Sequence, residues 1–96
     1  MKYDILCVGD ATLDIIMAGI PEDIFSRDST LASTSKWLVG GDAANQACTF
    51  DALGMKTALT AKIGTDLVGN TIYQMLSEST IDLSYMIRTP DKVSGY

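Results

Sequence analysis

Gly40-Gly41-Asp42-Ala43-Ala44-Asn45-Gln46-Ala47 separates two kinds of sequence. Before it, residues 33–39 (STSKWLV) alternate: Ser35, Trp37 and Val39 share one side, and Thr34, Lys36 and Leu38 the other. That is the period of a half-exposed strand. After it, residues 43–53 are rich in helix formers and small side chains, and Gly54 is the expected stop. Paired glycines ahead of a helix let a ligand approach the backbone closely. The first helical turn leaves N–H donors free. Asp42 is placed to cap that turn, and Asn45, one turn in, adds both a donor and an acceptor.

A loop of this kind can hold a phosphate. Two details oppose it here. Asp42 puts a negative charge at the mouth, and no Lys or Arg follows as a Walker loop requires. The pattern G-x-G-x-x-G is also missing from this stretch. A neutral, hydroxyl-rich ligand fits better, because carboxylates accept from hydroxyls, amides do both, and glycine N–H groups donate. The other reading of the same residues is an ordinary capped strand-to-helix turn.

Toward the N-terminus, residues 5–8 (ILCV) form a continuous apolar run ended by Gly9, the pattern of a buried parallel strand. Gly9-Asp10-Ala11-Thr12-Leu13-Asp14 follows. Ligands of open α/β sheets bind beyond the carboxyl ends of strands, so Asp10 and Asp14 stand where they can accept hydroxyl protons or hold a cation. A solvated acidic turn is the alternative. Residues 14–20 (DIIMAGI) are strand-like and stop at Pro21, and 22–32 read as loop.

Toward the C-terminus, residues 57–63 (TALTAKI) read as a second core strand. Gly64-Thr65 turns, Asp66 caps, and a helix to about Ser79 places Val68, Ile72, Met75 and Leu76 on one face. Gly64 to Gly69 has a mainly structural reading: a turn, a cap and close packing at Gly69. Residues 84–89 (SYMIRT) read as a short third strand, with a turn at Pro90-Asp91. Strand, helix, strand, helix, strand implies right-handed crossovers and a parallel sheet with helices on its faces. Residues 14–39 break that rhythm and read as a small sheet projecting from the main one.

The chain has 96 residues, enough for one domain. With 47% hydrophobic and 20% charged residues it has the apolar content to fold. A net charge of -5, with basic residues scattered, argues against nucleic acid and anionic membrane surfaces. The absence of histidine excludes histidine acid/base chemistry and most zinc sites. Cys7 and Cys48 read as small, reduced core residues. The N-terminal residues match neither a signal peptide nor a membrane span, which points to a cytoplasmic protein. Trp37 is placed to pack on a ligand, on a partner or in a local apolar cluster.

Taken in chain order, G-D-x-x-x-D at 9–14, G-G-x-x-x-N at 40–45 and G-x-D-x-x-G at 64–69 resemble the ribokinase, or PfkB carbohydrate kinase, family. With Ala52-Leu53-Gly54, the stretch 40–47 is close to that family's N-terminal signature. The resemblance spans essentially the whole chain but only the opening part of such an enzyme. It implies an α/β fold: the N-terminal part of a ribokinase-like, Rossmann-like, three-layer parallel sheet with a projecting β lid. The core would be 1–13 and 40–89, and the lid strands about 14–39 and from 93.

The resemblance further implies that Asp14 binds substrate hydroxyls. Thr12, Gly41, Asp42 and Asn45 would line the same pocket, Gly40 would shape the turn, and Trp37 and Tyr96 would belong to the lid. Thr12 stands where ribokinase often has Asn, and Asp42 where it has Lys, which points to another sugar or a sugar acid. The parent enzyme would transfer the γ-phosphoryl of Mg-ATP to a sugar hydroxyl. Its catalytic aspartate belongs to a late Gly-Ala-Gly-Asp motif outside these 96 residues, as does the nucleotide site. The fragment would therefore be inactive alone, binding neither ATP nor Mg2+, and would supply orientation and water exclusion. A homodimer through the lid strands is also implied. The competing readings are a non-catalytic sugar- or polyol-binding module, a nucleotide-binding α/β domain and a dimerisation piece.

Overall fold

A computed structural model describes residues 3–18 and 34–90. The expected loop at 22–32 and the lid strand from 93, with Tyr96, lie outside the described residues. The order is β1 (Ile5–Gly9), β2 (Thr12–Ala18), β3 (Thr34–Gly40), α1 (Asp42–Ala52), β4 (Thr57–Gly64), α2 (Leu67–Leu76) and β5 (Ile87–Thr89). β1, β4 and β5 form a parallel sheet in the order β1-β4-β5, while β2 and β3 pair antiparallel as a separate ribbon. This is the expected α/β architecture with its projecting piece.

The sheet is sided by the alternation of β4. Thr57, Leu59, Ala61 and Ile63 are buried along one face, where Leu59, Ala61 and Ile63 join Cys7, Ala43, Ala44, Ala47, Ile72 and Leu76 in one core. Each large apolar side chain buried there contributes roughly 1.5–3 kcal/mol. The fully buried positions of α1 are all alanine, with Phe50 partly buried against the same core, so the first turns of the helix approach the sheet closely. Both helices supply this core, so the described residues provide a sheet layer and one helical layer. On the opposite face Leu6 and Val8, register partners of Ala58 and Thr60, are 52% and 70% exposed.

Local chemistry explains where elements end. Gly41, not Asp42, is the N-cap of α1, and no side chain caps it. Asp42 is instead the first helical residue, where its charge favours the helix dipole. At the other end Gly54 (φ 83°) donates to the Asp51 carbonyl at 3.0 Å and Met55 to the Phe50 carbonyl at 3.1 Å, a Schellman closure. Asp66 does cap α2, accepting from the Gly69 N–H at 2.8 Å. That helix stops at Leu76, three residues short of the expected end. The Ser77 and Ser79 hydroxyls each donate to a last-turn carbonyl at 2.6 Å, offering those groups a partner outside the helical ladder. β5 is shorter than 84–89 for a related reason. Ser84 is held by the Asp82 carboxylate through its N–H (2.8 Å) and hydroxyl (2.6 Å), forming a turn before the strand. Cys7 is buried as expected. Cys48 is exposed on α1, because the inward stripe passes through Ala43, Ala44 and Ala47.

Asp82 also accepts the Tyr3 phenol, fastening the start of β1 to the segment beyond α2. The Ser84 hydroxyl first, then Tyr3 and the Ser84 N–H, hold its carboxyl below the usual carboxylate range. A carboxyl depressed in the fold stabilises above its unfolded pKa of about 4, and that contribution is lost as pH falls through the folded value. We therefore expect Asp82→Asn to lower the urea midpoint at pH 7 and to flatten its decline below about pH 4. An unchanged acid limb in the variant would refute this.

Candidate functional site

The site is built around Gly40-Gly41, where β3 hands over to α1. The β1–β2 connection crosses directly against this dipeptide. The Ala44 N–H donates to the Asp10 carbonyl at 3.2 Å, and the Asn45 N–H to the Gly41 carbonyl at 2.9 Å. Gly41 has φ 93° and ψ 152°, and a Cβ there would lie 2.6 Å from the Asp10 carbonyl oxygen. Gly40 is the last residue of β3 and is buried. It does not shape the turn by a left-handed conformation, since the positive-φ glycines are Gly9, Gly41 and Gly54. What it offers is space, and the Asp14 carboxylate occupies that space.

The ribbon register completes the arrangement. Thr12 pairs with Gly40, Asp14 with Leu38 and Ile16 with Lys36, so these residues share one face. The Thr12 hydroxyl lies 3.4 Å from Asp14 Oδ1. Leu13 pairs with Val39 on the opposite face, which turns toward the core, and Ile15 with Trp37 continues it. Trp37, 49% exposed beyond the core-facing pair, therefore lies on the side away from Asp14 and does not share that carboxylate's surface.

Thr12, Asp14, Gly40, Gly41, Asp42 and Asn45 thus belong to one local assembly, with Asp14, Asp42 and Asn45 exposed. The Asp14 carboxylate lies against Gly40, the Asp10 backbone carbonyl against Gly41, and Asp42 opens α1, so acceptor oxygens gather at the glycine pair. Sequence reasoning assigned no role to Leu38 and Lys36 on the Asp14 face. The alternation of residues 33–39 is visible, but only the cross-strand register shows which side meets Asp14.

The Gly64–Gly69 loop behaves as its structural reading required, with Asp66 capping α2. At its edge, Arg88 Nε donates to the Gly64 carbonyl at 3.1 Å and the guanidinium lies 5.5 Å from the Tyr73 ring centre. A hollow of about 360 Å³ lies at the far end of the sheet, lined by Tyr3, Asp51, Lys56, Thr80 and Asp82 among others. Its polar side chains bond one another, Thr80 to Asp51 and Tyr3 to Asp82. Among the described residues no group of three or more His, Cys, Asp or Glu is placed to hold a metal, and no helix is long and apolar enough to cross a membrane.

The pfkB family carbohydrate kinase profile matches residues 2–95. The chain belongs to the PfkB family. This PfkB-family chain is 34% identical over 89 residues to a nucleoside kinase of Methanothermobacter thermautotrophicus, a match covering 93% of the chain and 28% of that protein. It is 27% identical over 94 residues to the ribokinase of Mus musculus, covering 90% of the chain and 29% of that protein. Its structure superimposes on Arabidopsis thaliana ribokinase complexed with ribose and ATP with a TM-score of 0.78 and 26% identity, covering 98% of the chain and 30% of that protein. The chain spans under a third of the length of these relatives.

Proposed function

We propose that this chain is the acceptor-binding portion of an ATP-dependent PfkB-family kinase that phosphorylates a hydroxyl of a sugar, sugar acid or nucleoside. The observation carrying this reading is the meeting of Asp14 with the Gly40-Gly41 start of α1. The core, within 1–13 and 40–89, fixes the acceptor-binding groups, and the ribbon within 14–39 acts as the lid. Asp14 accepts acceptor hydroxyls, Asn45 donates to and accepts from the same molecule, and the Gly41 backbone lets it approach. Asp42 disfavours a phosphate at the mouth. ATP and Mg2+ bring the transferable phosphoryl group and its charge neutralisation. No step through either is assigned to this chain. Its contribution is to orient the acceptor and shed water from it.

The test is ATP-dependent transfer to a panel of pentoses, hexoses, sugar acids and nucleosides by the protein containing this chain. A charged hydrogen-bond partner contributes about 1.5–3 kcal/mol, so Asp14→Ala should lower kcat/KM for the preferred acceptor by about 100-fold. Wild-type activity in the Asp14→Ala variant would remove Asp14 from the site, and no transfer to any acceptor would end the kinase reading.

A further inference from the structure

Gly40 sits in the middle of the site yet is buried, so its part in acceptor binding is indirect. A Cβ built on it would lie 2.7 Å from Asp14 Oδ1, 2.6 Å from Cγ and closer still to Oδ2. These three nearest atoms all belong to the Asp14 carboxyl, and none is backbone. Gly41 differs, since a Cβ there meets the backbone of Asp10 and Ala11. The backbone of Gly40, outside the positive-φ set, makes no demand for glycine. The group that an alanine at 40 meets first is the carboxylate across the ribbon.

We propose that Gly40 is a positioning residue whose missing side chain makes the seat for the Asp14 carboxylate. The Thr12 hydroxyl flanks the seat from its register position opposite Gly40. The carboxylate is thereby held beside the start of α1 instead of swinging into solvent, where its rotamers would be free. That this orientation serves an acceptor hydroxyl rests on the function proposed above; the seat itself does not.

A double-mutant cycle separates the two. Gly40→Ala alone should lower the thermal midpoint by roughly 4 °C. In an Asp14→Ala background the same substitution should cost nothing or raise the midpoint, since the seat is empty and alanine reduces the freedom of the unfolded chain. In an Asp14→Asn background the cost should remain, because the amide fills the same volume. An equal loss in all three backgrounds would overturn the seat. The kinetic arm asks what the seat is for. Gly40→Ala should raise KM for the best acceptor in the pentose, hexose and nucleoside panel about tenfold, leave KM for ATP unchanged, and add less than about twofold once Asp14 is alanine. Coupled stability with unaltered acceptor KM in every variant would leave the seat standing and refute its role in positioning for substrate.

Discussion

Replacing Gly41 with alanine is expected to remove about 3 kcal/mol or more of folding stability. Two independent effects act together. The conformation at φ 93° and ψ 152° lies in territory that only glycine occupies readily, at a cost on the order of 1–3 kcal/mol for other residues. The new Cβ would also lie 2.6 Å from the Asp10 carbonyl oxygen, 2.9 Å from the Asp10 carbonyl carbon and 3.2 Å from Ala11 Cα. Backbone cannot swing away as a side-chain tip can, so relief requires moving the β1–β2 connection off the start of α1. That movement breaks the Ala44-to-Asp10 hydrogen bond and carries Asp14 with it. Gly54 provides the control. Its φ is also positive, at 83°, but nothing lies within 4 Å of its Cβ position. Gly54→Ala should therefore cost only about 1 kcal/mol, the local penalty of the left-handed conformation. Urea unfolding of the two variants checks this, and equal losses would show that crowding at Gly41 contributes nothing. In a chain of this size total stability is on the order of 5–15 kcal/mol, so the Gly41 variant should also lose much of its folded population on mild heating.

The same dipeptide marks how far the sequence could be read. Gly-Gly before a run of helix formers located the start of α1 correctly, because those residues act through local backbone preferences. Asp42 misled as a cap because Asp normally caps, whereas here Gly41 takes the position in a conformation Asp cannot share. Cys48 misled for a different reason. With a helix stripe as small as Ala43, Ala44 and Ala47, a cysteine one position on looks equally at home inside, and only the packing decides. The ends of α2 and β5 depend on Ser77, Ser79 and Ser84 finding local partners, a competition that composition does not reveal. At the candidate site, the motifs single out Asp14 and Asn45, but which side of the ribbon faces which residue depends on register. A shift of one position would exchange Leu38 and Trp37, so Trp37 was readable as part of the lid but not as lying away from Asp14.

Leu59→Ala and Leu6→Ala should differ sharply although the chemical change is the same. Leu59 lies in the central strand β4, fully buried, opposite Cys7 in the register and within the core shared with both helices. Its truncation removes buried methyl groups and leaves a cavity that the short side chains of Ala43, Ala44 and Ala47 cannot fill, for an expected loss of about 3–4 kcal/mol. Leu6 is adjacent to Cys7 on β1 but points to the other face, where it is 52% exposed. Its truncation should change stability by no more than about 0.5 kcal/mol. The comparison also reports on what covers that face. In a longer kinase of the kind proposed above, further chain packing on this apolar sheet surface would give Leu6 neighbours. Denaturant unfolding of both variants, in the 96-residue chain and in the longer protein, gives the decisive pattern. Leu59→Ala should be costly in both, and Leu6→Ala should become costly only in the longer one. A large Leu6 effect already in the short chain would mean that another surface, a second copy included, covers the sheet there.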